Sequence, residues 1–120
     1  MYPEMSGELR RVGDPALISF LRHLATLVGT NPCDQDGLVR AFVQTVRVDE
    51  PTITALIQLS ERYVIAANSA PSAELSIVMR GHLRILDYLA VNSSHGCRRQ
   101  VREQADTVRQ ALDLVHRIVC

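Results

Sequence analysis

The chain of 120 residues contains no lysine and no tryptophan, and its aromatic residues are only three tyrosines and two phenylalanines. All 13 basic residues are therefore arginine, and they balance 13 acidic residues to a formal net charge of zero. A chain without excess positive charge has no general attraction to nucleic acid or to an anionic membrane. We therefore do not expect nucleic acid as a partner.

Long apolar runs and a regular cysteine pattern are also missing. No stretch approaches the roughly 20 apolar residues that cross a bilayer, so we expect no membrane partner. The first residues lack the apolar segment of a secretory signal peptide. Cys33, Cys97 and Cys120 are odd in number and far apart, which is typical of a reducing compartment. The expected location is intracellular, in the cytoplasm, or in the nucleus if the source is eukaryotic or viral.

Signatures of catalysis and of metal binding are absent from the sequence. The chain has no nucleophile-elbow motif G-x-S-x-G and no phosphate-binding loop. His95 and Cys97 form the only close pair of potential metal ligands, and no C-x-x-C or H-x-x-x-H motif accompanies them. We therefore predict a protein that is not an enzyme and has no catalytic residue, metal or cofactor.

Turn and capping residues divide the chain into five predicted helices. Between these breaks apolar residues recur three and four positions apart, the spacing of an amphipathic helix. Asp14 and Pro15 suit the start of the first helix, and Gly29 is expected to end it as a left-handed C-cap. Asp34 or Asp36 can cap the second helix. The remaining three are expected to begin at Asp49, at Ser72 and at about Cys97.

The predicted fold is all-α, a single-domain bundle of about five mostly antiparallel helices over residues 14–120. Residues 1–13 are expected to form a flexible N-terminal arm. The fourth helix, from Ser72 to Val91, is apolar on nearly every face, which predicts a central position. Within it Gly81 is expected to permit the close approach of a neighbouring helix.

The fifth helix carries a regular apolar seam. Its steps of four and three residues match the a and d positions of a coiled coil, although the seam is short and can also pack inside the bundle. Since convergent polar chemistry is absent, our leading hypothesis is a non-enzymatic protein-protein interaction or assembly module, homodimeric or with another protein partner, that acts through this helix. The predicted interface residues are Val101, Arg102, Val108, Arg109, Leu112, Val115 and Val119.

Two alternative functions depend on other residues. A small-ligand-sensing regulatory bundle would use a pocket around Tyr63, His82 and Tyr88. A nucleic-acid-binding regulator, or contact with an acidic partner, would use the basic cluster of Arg98, Arg99 and Arg102. Acidic residues that follow this cluster on the same helix can neutralise it, which weakens the second alternative.

Overall fold

The computed structural model describes residues 15–31, 33–45, 49–92 and 95–119, and these form five helices without a strand. The helices are α1 (Pro15–Thr30), α2 (Gln35–Thr45), α3 (Glu50–Ser69), α4 (Ala73–Asn92) and α5 (His95–Val119). They pack against one another, which confirms the predicted all-α bundle. The predicted arm at residues 1–13 lies outside the described part of the chain.

Short polar side chains begin α3 and α4, as the sequence predicts. Asp49 precedes α3, and its carboxylate accepts a hydrogen bond from the Thr52 amide nitrogen at 3.4 Å. Ser72 precedes α4, and its hydroxyl oxygen accepts one from the Leu75 amide nitrogen at 3.0 Å. Each cap satisfies an amide that has no partner within the helix. Local sequence therefore sets where these two helices start.

The two aspartates near the start of α2 have different roles. The carbonyl oxygen of Asp34 accepts the first helical hydrogen bond from the Leu38 amide nitrogen at 3.0 Å, which places Asp34 at the N-cap position. Asp36 lies in the first turn and pairs with Arg84 of α4, whose Nε donates to its carboxylate at 2.9 Å. This ion pair ties α2 to the central helix.

Two glycines let α1 and α4 cross at very short range. A Cβ atom at Gly81 would overlap the carbonyl oxygen of Ala25, and one at Gly29 would overlap the carbonyl oxygen of Ile77. The predicted close approach at Gly81 is therefore confirmed. The prediction that Gly29 ends α1 is wrong, because α1 continues to Thr30 and Gly29 is buried inside it. Packing against α4 requires this glycine.

The hydrophobic core surrounds α4, which contacts all four other helices. Its apolar residues Met79, Ile85, Leu86 and Leu89 are almost completely buried, as expected for a helix that is apolar on most faces. The antiparallel register of α1 and α4 follows from the two glycine contacts. Within the described ranges no helix is long and apolar enough to span a membrane.

The seam of α5 packs into this core. Its buried members are Val101, Ala105, Val108, Leu112 and Val115. Only Val119, at the end of the helix, keeps 37% of its surface exposed. Four residues of the predicted interface therefore have almost no surface to offer a partner: Val101, Val108, Leu112 and Val115. This part of the seam packs within the bundle.

Candidate binding groove between α1 and α3

An open groove of about 1040 Å³ lies between α1, α3 and the first turns of α4. On α1 its lining residues are three, four or one position apart, so they share one face of the helix. They are Ser19, Arg22, His23, Thr26, Leu27 and Thr30. Along α1 the groove is about 17 Å long at the helical rise of about 1.5 Å per residue.

The walls of the groove are mainly apolar. Leu27 of α1 is 47% exposed, although it is a large apolar residue. Leu59 of α3 and both Leu75 and Val78 of α4 line the same groove. Concave sites with apolar walls and a few polar groups are the usual form of small-ligand sites. A ligand here would cover Leu27 and remove its apolar surface from water.

Two arginines lie on opposite walls of the groove, Arg22 on α1 and Arg62 on α3. Both are exposed, and neither forms an ion pair with a carboxylate in the described part of the chain. Both are close enough to Tyr63 to act on its hydroxyl electrostatically. The groove therefore has a cationic region that no carboxylate of the described residues neutralises by an ion pair.

Tyr63 lies in the wall of the groove, next to Arg62 in the sequence, and is only 6% exposed. Burial raises the pKa of its hydroxyl to about 12, while the nearby positive charges of Arg22 and Arg62 act in the opposite direction. The Arg22 contact falls short of normal hydrogen-bond geometry, and the hydroxyl has no other partner. A buried polar group without a good partner costs about 1–3 kcal/mol, and this hydroxyl has no accessible surface in the groove, so the ring of Tyr63 forms part of the wall and its hydroxyl is not a ligand contact.

Glu74 carries the acidic charge of the groove lining. Because Ala25 faces Gly81 and Gly29 faces Ile77, the antiparallel register places Glu74 just beyond the end of α1. With a rise of about 1.5 Å per residue, Glu74 lies about 15 Å from Arg22 along the axis of α1. Arg22 and Glu74 therefore lie towards opposite ends of the groove.

A buried serine–histidine pair supports the groove from behind. His82 of α4 is fully buried, its ring meets Tyr63 edge-on at a centroid distance of 4.9 Å, and its Nε2 lies 2.7 Å from the Ser60 Oγ. The Ser60 hydroxyl donates its proton to the Leu56 carbonyl oxygen at 2.9 Å. Nε2 of His82 therefore carries the hydrogen that Ser60 accepts. This interaction fixes the orientation of the ring behind Tyr63.

This pair lacks what a catalytic nucleophile and base require. Burial lowers the pKa of His82 to about 3, which makes the imidazole a weak base. The other ring nitrogen, Nδ1, has no hydrogen-bond partner, whereas in a catalytic triad a carboxylate bonds to this nitrogen and orients the ring. Neither Ser60 nor His82 has accessible surface for a substrate. The geometry therefore favours a structural role.

The predicted pocket of Tyr63, His82 and Tyr88 is only partly present. Tyr63 lines the groove and contacts His82, but His82 itself lies behind the wall. Tyr88 is half-buried against the core and is not part of the groove. Arg22, Leu27 and their neighbours on α1 are not among the site residues predicted from the sequence. Leu27 belongs to the row of apolar residues from which the sequence predicts the buried face of α1. That row shows that α1 is amphipathic, but it does not show which of its residues stay exposed in a groove.

Most of the charged residues predicted as contacts on α5 are exposed, and some form ion pairs within the bundle. Arg109 pairs with Asp106 at 3.1 Å and with Asp87 of α4 at 2.9 Å, which links α4 to α5. In the basic cluster Arg99 pairs with Glu103 at 3.3 Å. Arg102 is exposed and Arg98 is half-buried. Contact of Arg98, Arg99 and Arg102 with an anion remains a prediction.

The described ranges contain no group of three or more histidine, cysteine, aspartate or glutamate residues arranged to hold a metal ion. Cys33 is exposed and does not form a disulfide. No known protein-family model matches the chain, and neither a curated protein nor a solved structure is significantly similar to it.

Proposed function

We propose that this chain is a non-enzymatic binding protein whose ligand occupies the groove between α1 and α3. The observation that carries this proposal is the exposed Leu27 in a concave apolar site that three helices line. The α5 seam offers less support for an interaction surface, because its central residues pack inside the bundle. The small-ligand alternative is therefore the better supported of the hypotheses from the sequence.

A neutral fluorescent probe tests whether the groove binds apolar ligands. N-phenyl-naphthylamine brightens in apolar sites, so we expect its emission to rise on addition of the wild-type chain. Ala66 lines the groove on α3, and Ala66→Phe should fill it and weaken probe binding by about tenfold or more, as steric loss of an apolar site implies. Gln110→Phe places the same side chain on an exposed position of α5 and should leave binding unchanged.

Circular dichroism should show the same helicity for all three proteins, so that loss of binding reports on the groove and not on the fold. The proposal would be refuted by a wild-type chain that does not bind the probe. Equal probe affinity for the wild type and the folded Ala66→Phe variant would refute it as well.

Assembly through the end of α5 is a second candidate. Ile118 is 57% exposed and Val119 is 37% exposed, so two neighbouring apolar residues remain accessible where the helix ends. A near-neutral chain also has little net charge to oppose self-association. In this form of the assembly hypothesis, the last turn of α5 is the contact surface in place of the buried seam. The mass of the protein in solution tests it.

A further inference from the structure

Building on the proposed function, we propose that the ligand of the groove is an amphipathic anion, with a carboxylate or phosphate head group joined to a single hydrocarbon chain. The head group would lie between the guanidinium groups of Arg22 and Arg62. The hydrocarbon chain would extend along Leu27, Leu75 and Val78. The arrangement of charge along the groove and the apolar walls support this assignment.

Arg22 and Arg62 provide the recognition of the head group. A guanidinium group presents a planar fork of donors that matches a carboxylate or a phosphate. These two approach the groove from opposite walls, and no carboxylate of the described residues pairs with either of them.

Glu74 determines the direction in which such a ligand would lie. Its carboxylate repels an anionic head group, and the register places it about 15 Å along the helices from the level of Arg22. Leu27 and Leu75 lie between these two ends, where a hydrocarbon chain gains most from leaving water. Besides Arg22, Arg62, Tyr63 and Glu74, the lining contains one more titratable residue, His23, which lies next to Arg22 on α1.

Competition against bound N-phenyl-naphthylamine separates head-group recognition from apolar binding. The competitors are dodecanoate, dodecyl phosphate and dodecylammonium, which share one hydrocarbon chain and are used below their micelle concentrations. We expect at least one anion to displace the probe at about tenfold lower concentration than dodecylammonium, as two charge-assisted contacts imply. The ratio between dodecanoate and dodecyl phosphate identifies which head group the site prefers.

Variants assign this preference to the proposed residues. The double variant Arg22→Gln and Arg62→Gln should bind the neutral probe as the wild type does and lose the preference for anions. Arg40→Gln, an exposed arginine on α2 outside the groove, is the matched control and should retain it. Glu74→Gln should strengthen anion binding by roughly twofold, because it removes a repulsive charge.

The outcomes distinguish this inference from the function on which it rests. Binding of the neutral probe with equal displacement by anions and by dodecylammonium would overturn the amphipathic-anion assignment and leave the groove as a binding site. An anion preference that persists in the double arginine variant would overturn the assignment too. Absence of probe binding to the wild type would overturn both proposals.

Discussion

His82 is a titratable residue whose environment excludes water. Its ring is fully buried, one nitrogen bonds to Ser60, and the other has no partner. A charged imidazole at this position would lose its hydration without gaining a carboxylate, so burial lowers its pKa from the usual 6.5 to about 3. The folded chain therefore keeps His82 neutral at pH values at which the unfolded chain protonates it.

This difference predicts a loss of stability in mild acid. Below pH 6.5 the unfolded state binds a proton at His82 and the folded state does not, so the free energy of unfolding falls as the pH approaches 3. Between pH 7 and pH 4.5 the expected contribution is a loss of about 2–3 kcal/mol. Urea denaturation at several pH values in this window measures it.

His82→Gln provides the reference for this measurement. Glutamine can still hydrogen-bond to Ser60 but does not titrate, so the carboxylates of the two proteins contribute equally and their difference reports on His82. We expect the stability of the variant to depend less on pH over this window by the same 2–3 kcal/mol. Parallel pH dependences for the two proteins would show that His82 is not held neutral.

At the scale of helices, the crossing of α1 and α4 depends on the absence of side chains. Gly81→Ala should lower the free energy of unfolding by about 1–3 kcal/mol or more, because the new methyl group meets the Ala25 backbone, which cannot move aside as a side chain can. Gly96 in α5 has nothing within 4 Å of the position that a Cβ atom would occupy, and Gly96→Ala should leave stability unchanged or raise it by up to about 1 kcal/mol.

Thermal and urea denaturation of the two glycine variants measure this contrast. Both substitutions replace a helical glycine with alanine, and the gain in helix propensity is at least as large at Gly81, inside α4, as at Gly96, in the first turn of α5, so a loss of stability seen only for Gly81→Ala reports on the contact with α1. Similar stabilities for the two variants would mean that the helices can separate at little cost.

Some helical features could be read directly from the sequence, and others could not. Asp49 and Ser72 act through amides three residues away, so a short sequence pattern identifies them. Gly29 follows an apolar stripe, as a C-cap does, and only the position of α4 shows that it is a packing contact. The groove draws residues from three helices, so its composition depends on how the helices are arranged.

At the scale of the whole molecule, burial of the α5 seam changes what substitutions in it should do. Leu112 is 6% exposed, and Leu112→Asp places a charge in the core, so we expect loss of several kcal/mol of stability and of helicity. Ile118→Asp changes an exposed position and should preserve the fold, with stability within about 0.5 kcal/mol. Circular dichroism during thermal denaturation measures both.

Light scattering on a sizing column adds the solution mass of each folded protein. If the end of α5 forms a homodimer, the wild type should have twice the mass of the folded Ile118→Asp variant. A monomeric wild type would count against assembly at this surface. A folded Leu112→Asp monomer obtained from a wild-type dimer would show that the seam opens to form an interface after all.

The glycine-mediated crossing also bears on how fast the chain folds. The helix packed most closely on α4 is α1, which α2 and α3 separate from it in the sequence. Such a contact requires closure of a long loop. The chain loses conformational entropy when the loop closes, before the contact can stabilise the fold. We expect the hairpins formed by α3, α4 and α5 to order first and the docking of α1 to follow. Docking of α1 would then complete both the core and the groove late in folding.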